Sequence, residues 1–363
     1  MSNFFVTSDK RRIFGLDLLR VLAIFIVIHS HGSHYLASTF LAGMADWRLP
    51  QGTDMFFVLS GFLIGSSVLS MAEENEKHQF VTSSLRLYLK MALRILPNYW
   101  VLLAVNYILV YSHVIPGDLT AMPMWRFVSL TQNLVSPFYD FFWESWTLPI
   151  QWWFYILLPI GMLLIPRRRV KQLTPLLVLL VVAFALGFRI SVADKATNSF
   201  WWDVWIRKTV ASRCDCVWIG VVVAWVKRYY PVFWRRCRWW SLALGVILIT
   251  VCCSVTRVIG SAYANVVYPT FSAVSICLLF PILDSWNECH GFFGKAVAAI
   301  SLLSYALFLS NLMVSQVIDG QFSTFAETHG IMAYFLFWFV AFAFAFVIYY
   351  CIERWAMRLR NKI

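Results

Sequence analysis

The chain runs to 363 residues, of which 60% are hydrophobic and 18% aromatic, with only 13% charged and a formal net charge of +12. Soluble domains carry roughly 25% charged residues, so this chain has about half the usual means of facing water and no soluble core in which to hide 31 Phe and 18 Trp. Apolar runs of roughly 18 residues or more recur along its whole length, which excludes a soluble enzyme, a nucleic-acid module and a disordered protein. Their continuity argues against an outer-membrane barrel, whose strands alternate.

In chain order the runs predict about ten transmembrane helices, at roughly 13–33, 52–71, 88–111, 144–165, 173–190, 208–226, 239–257, 267–285, 297–318 and 331–352. The expected fold class is therefore an all-α membrane bundle, with residues 1–363 forming one integral membrane domain. Most basic residues fall in one set of termini and loops, among them Lys10, Arg11, Arg12, Arg86, Lys90, Arg167, Arg168, Arg169, Arg228, Arg235, Arg236, Arg354 and Arg358. The alternate loops hold few, namely Arg48, Arg126, Arg189, Lys195, Arg207, Lys208 and Arg257. Positive residues flank spans on the cytoplasmic side, so both termini are expected in the cytoplasm of a multi-pass protein of the inner or plasma membrane. The basic surplus is then a matter of topology rather than of nucleic-acid binding. Asp17 and Arg20 interrupt the first apolar run and no clear small-residue cleavage site follows, which argues against a cleaved signal peptide.

Ionisable groups inside membrane helices are costly, so each is a functional candidate. The first helix holds Asp17, Arg20, His29, His31 and His34. Arg20 and His31 are eleven residues apart, about 20° short of or past three full turns, so they share one face about 16 Å apart along the axis. Asp17, one turn before Arg20, is placed to pair with it. His29 points about 200° away from His31, and His29 and His34 read as interfacial side chains. On the second helix Asp54 stands level with His31 and is expected to orient its imidazole, while Ser60 and Gly61 permit close helix approach. Arg86, Lys90 and Arg94 step by four along the third helix. That ladder reads equally well as a lipid-headgroup anchor and as a phosphate cradle. The fourth helix opens with Glu144 and Trp146 in an aromatic crowd that reads first as an interfacial belt. Arg213 and Asp215 on the sixth read as a local charge pair. The cysteines act as small hydrophobes, Cys214 and Cys216 lack the spacing of a zinc site, and only His113 stands at a depth to join His31 on a haem, so neither a metal nor a permanently bound cofactor is expected.

The order of these elements resembles the acyltransferase-3 family of integral membrane O-acyltransferases, nearly end to end. Leu16-Asp17-Leu18-Leu19-Arg20 followed by His31 is similar to the family's opening motif and its arginine–ten residues–histidine signature. Asp54-Met55-Phe56-Phe57-Val58-Leu59-Ser60-Gly61-Phe62-Leu63-Ile64 is the most specific match. Arg94-Ile95-Leu96-Pro97 with Tyr99-Trp100, the polar pair Arg213 and Asp215, Ser304-Tyr305, and Glu353 complete it. The chain departs from the family pattern at Leu18 (commonly Gly), Gln151 (commonly Glu) and Asn311 (commonly His).

The resemblance implies transfer of a short acyl group, acetyl above all, from acyl-coenzyme A to a hydroxyl of a cell-envelope glycan or glycolipid, an O-acetylation. A sugar hydroxyl is a poor nucleophile, and an imidazole base near neutral pKa suits it. His31 with Asp54 is the expected catalytic pair. Arg20, Arg86, Lys90 and Arg94 are expected to receive the donor from the cytoplasm, with Gln151 and Trp146 joining the substrate-binding set. The expected partners are the bilayer, acyl-CoA and a glycan or glycolipid acceptor, without nucleic acid. The alternative is a carrier or flippase for a glycan or small solute, its path lined by the same polar residues. The enzyme reading further expects one hydrated passage from Arg20 to His31.

Overall fold

A computed structural model describes residues 12–45, 50–74, 76–137, 141–255, 261–360 and 362; Lys10, Arg11, Arg48 and Arg257 lie outside them. All regular structure among the described residues is helical. Among the described residues nine helices are long and apolar enough to cross a membrane, and a tenth span is reached if one bent pair counts as a single crossing. We number them α1 Phe14–Leu36, α2 Gly52–Glu74, α3 Lys77–Tyr111, α4 Trp143–Leu163, α5 Arg167–Lys195, α6 Val210–Tyr229, α7 Arg238–Val255, α8 Tyr263–Ser285, α9 Gly291–Gln321 and α10 Gly330–Arg360. The segment Ser199–Arg207 leads into α6 at a 58° bend. At that break the first amides of α6, which have no partner inside the helix, donate to a neighbouring loop: Val210 N to Asn133 O at 2.8 Å and Ala211 N to Leu134 O at 2.9 Å.

α3 is the longest span, 35 residues, or about 52 Å against a hydrocarbon layer of about 30 Å. Its polar opening stretch, from Lys77 to Lys90 and including Arg86, is the part in excess of that layer.

Within the bundle α2 packs most heavily against α6, and also against α1, α4 and α8. The α2–α6 crossing rests on two glycines in backbone contact. A methyl group at Gly61 would strike the Val217 carbonyl, and one at Gly220 would strike the Val58 carbonyl. With no water-driven attraction between helices in lipid, such close packing of small residues holds spans together. α9 packs between α1 and α10. α5 and α7 sit at the rim and present Leu179, Leu180, Phe184, Trp239 and Trp240 outward.

Two fully buried ion pairs lock this core. Arg213 of α6 bonds Asp54 of α2, whose other oxygen accepts from Ser272 of α8 at 2.6 Å. Asp215 accepts from Arg189 of α5 and from Thr270 of α8, both at 2.5 Å. Arg213 and Asp215 are thus not a mutual pair. Residues two apart on a helix point about 200° from one another, so each reaches a different neighbour. Arg189, assigned by hydropathy to a loop, lies wholly inside the bundle because Asp215 offers it a partner there.

Candidate active site

Two adjoining cavities occupy the space between α1, α2, α4 and α9. The larger, about 260 Å³, lies at the C-terminal end of α1 and is lined by His31, Ser30, Gln51, Glu144, Trp146 and Lys208 among others. His31 is held by α9: its Nδ1 is 2.5 Å from Oδ1 of Asn311. The amide of Asn311 cannot be turned round, because its Nδ2 donates to Leu307 O and Phe308 O, each at 2.9 Å. Oδ1 is then an acceptor only, and His31 must carry its proton on Nδ1 to satisfy it. The lone pair of the neutral imidazole resides on Nε2, which has no protein hydrogen bond among the described residues. That is the arrangement of a base awaiting a proton donor. His29 is the opposite case: buried, its Nδ1 lies 2.9 Å from Tyr334 Oη and its Nε2 3.1 Å from Met44 O, so both nitrogens are engaged. It is a packing residue rather than the solvated one its position suggested. His34 is exposed at the rim, 3.2 Å from Asp319.

The smaller cavity, about 100 Å³, lies toward the N-terminal end of α1 and is lined by Arg20, Arg94, Gln151, Tyr155, Ser304 and Tyr305 with apolar Phe56, Leu63 and Ile95. Asp17 sets Arg20 in place at 2.7 Å while also holding Arg12 at 3.0 Å and accepting from Ser301 at 2.7 Å. The Asp17–Arg20 pairing is the one expected from their spacing. Gln151 accepts from Tyr155 Oη at 3.2 Å, which puts it with the arginines and not with His31. Of the basic ladder on α3, only Arg94 reaches the cavity; Arg86 is exposed and Lys90 half-buried farther along.

The expected passage from Arg20 to His31 is thus two chambers that share two lining residues, Thr53 and Phe308. Phe308 stands edge-on to Phe56, ring centroids 5.9 Å apart. Arg20 and His31 do share the cavity face of α1, as their spacing required.

Asp54 is the clear correction. It does not touch His31; both its oxygens are committed to Arg213 and Ser272. Level with His31, it sits one residue, about 100°, around α2 from Thr53, and Thr53 takes the cavity-facing position while Asp54 faces α6. A fully buried carboxylate needs a cation, and Arg213 supplies it.

The structure also brings forward residues that the sequence did not single out. Glu144 lines the His31 chamber and accepts from the Met313 amide at 3.1 Å. Arg207 and Lys208 share the Asp203 carboxylate and lie over the rings of Trp146 and Trp143, at 5.2 and 4.2 Å from the centroids. Glu144 was visible as an ionisable group beside a span and Asn311 as a departure from the family pattern, though not as the partner of His31; Thr53 and Phe308 carried no signal beyond their place on a helix.

A family model described as an acyltransferase domain matches residues 13–354, nearly the whole chain. No curated protein and no solved structure matches.

Proposed function

The chain belongs to the acyltransferase-3 family of membrane acyltransferases, and on that premise we propose that it moves an acetyl or similarly short acyl group from acyl-coenzyme A to a hydroxyl of a cell-envelope glycan or glycolipid. The basic ends of the helices face the cytoplasm of the inner or plasma membrane in this reading, as positive residues do. The phosphates of the donor meet the projecting part of α3, with Arg86 and Lys90, and its pantetheine arm enters the cavity of Arg20 and Arg94. The thioester reaches the junction at Thr53 and Phe308. The acceptor hydroxyl enters from the other side, beside Trp146 and Glu144.

The neutral His31 then takes the hydroxyl proton on Nε2 as the oxygen attacks the thioester carbonyl carbon. The new C–O bond forms, the C–S bond breaks, and the departing coenzyme A sulfur recovers the proton from His31. Such general-base help is worth about 10²–10⁴-fold. Asn311, by keeping the proton on Nδ1, holds His31 in the tautomer the step needs, the role expected earlier of Asp54. No permanently bound cofactor takes part.

The observation that supports this reading most is the meeting of the two chambers: two guanidiniums on one side, an imidazole with an uncommitted nitrogen on the other, and one shared wall. Family membership favours group transfer over the carrier alternative. The test is transfer of labelled acetyl from acetyl-CoA into the lipid and glycan fractions of membranes containing the protein. His31→Ala is expected to lower it at least 100-fold. Undiminished transfer by that variant, or none by the wild-type protein with any acyl-CoA, overturns the proposal.

A further inference from the structure

Thr53 is 6% exposed, yet its hydroxyl has no hydrogen-bond partner among the described residues. A buried hydroxyl without a partner costs roughly 1–3 kcal/mol, and threonines within helices ordinarily avoid that cost by bonding back to a carbonyl one turn earlier. Thr174 does so here, to Val170 O at 2.7 Å, and Ser66 to Phe62 O at 2.7 Å. Thr53, the second residue of α2, has no carbonyl one turn earlier within its helix, and its hydroxyl stands without a partner at the level of the bundle where the two chambers adjoin, in the wall it shares with Phe308. Phe308 offers no polar atom to a reacting group, so Thr53 is the sole polar side chain common to both chambers among the described residues. It also stands in the first turn of α2, which begins at Gly52, where the positive end of the helix dipole favours negative charge.

We propose that the Thr53 hydroxyl is a catalytic hydrogen-bond donor to the thioester carbonyl oxygen, stabilising the negative charge that oxygen acquires in transfer. This rests on the function proposed above. When the acceptor oxygen adds to the carbonyl carbon, the C=O electron pair moves onto its oxygen. Thr53 donates O–H to that oxygen and keeps its proton. As the C=O re-forms, the C–S bond breaks, and the thiolate takes the proton that His31 removed from the acceptor. A donor already in place and without a competing partner needs no reorganisation when charge develops, and removal of one such donor typically costs 10²–10³-fold in kcat.

Thr53→Val keeps the shape and removes the O–H; Thr53→Ser restores it. The measurements are kcat and KM for acetyl-CoA, followed by release of free thiol, together with thermal unfolding of the purified protein in detergent. Thr53→Val is expected to lose roughly 100-fold in kcat with KM within about threefold, while its melting temperature stays the same or rises, because an unsatisfied hydroxyl has gone. Thr53→Ser is expected within about tenfold of wild type. A purely structural threonine predicts that activity and melting temperature fall together. That result, an unchanged kcat in Thr53→Val, or acyl label bonded covalently to Thr53, overturns the assignment. Loss of transfer in His31→Ala with Thr53→Val unaffected refutes this role alone; full transfer in both refutes the function as well.

Discussion

Asp54 looks catalytic by sequence and structural by position, and the two roles predict opposite outcomes when its partner is removed as well. In Asp54→Leu the Arg213 guanidinium, fully buried, keeps its charge and loses its carboxylate; its Nε and one terminal nitrogen already lack partners among the described residues. Breaking a buried pair from one side costs about 3–5 kcal/mol. At about 2.1 cal/mol/K per residue the unfolding entropy of 363 residues turns that into a fall in Tm of about 4–7 °C. Removing both charges, in Asp54→Leu with Arg213→Met, takes away the stranded ion along with its partner, and replacing a buried pair by apolar side chains of similar volume is often neutral or stabilising. The double variant should therefore regain most of the lost Tm and transfer acetyl within a few-fold of wild type. The assays are differential scanning fluorimetry in detergent and acetyl transfer by the same preparations. A double variant that melts like wild type but is inactive would return Asp54 to the chemistry; one no more stable than Asp54→Leu would refute the charge-pair reasoning.

The remaining predictions bear on the two chambers and the helix crossing. Arg94→Ala should raise KM for acyl-CoA at least tenfold, about 1.4 kcal/mol of binding, and Arg86→Ala, whose exposed side chain meets the donor phosphates in water outside the cavity, should raise it by a smaller factor that shrinks with added salt; steady-state kinetics with varied acyl-CoA at two ionic strengths separate the two. Asn311→Leu should lower kcat by 10-fold or more and Asn311→Asp should retain most of it, since a carboxylate also accepts from Nδ1–H of His31; equal loss in both would refute the tautomer argument. Phe308→Ala should shift donor preference from acetyl toward butyryl, read as the ratio of kcat/KM values, because the shared wall of a chamber of about 100 Å³ is opened. Gly61→Ala, whose new methyl meets the Val217 carbonyl on α6, should reduce the yield of monodisperse protein in fluorescence-detected size exclusion by several-fold, while Gly43→Ala, with open space around it, should not.

Apolar run length and the placing of charges were enough to read the bundle. Each predicted span has a helix over most of it, because a backbone in lipid must satisfy its own hydrogen bonds within the segment. The ends differ where polar helix continues beyond the apolar layer, as in α3 and α9. The shared face of Arg20 and His31 and the Asp17–Arg20 pair were equally readable, since both depend only on the 3.6-residue period of one helix. Partnership across helices was not. Depth alone placed Asp54 beside His31, but the rotation of α2 about its axis is set by Gly61 against Gly220, and that rotation turns Asp54 toward Arg213 and Thr53 toward the cavities. Likewise Asn311 became the partner of His31, and Arg189 an interior residue, only through the packing of α9 on α1 and of α5 on α6. The period of a single helix is a local property and is written in the chain; which faces of different helices meet depends on side chains far apart in sequence fitting one another, and only the assembled bundle decides it.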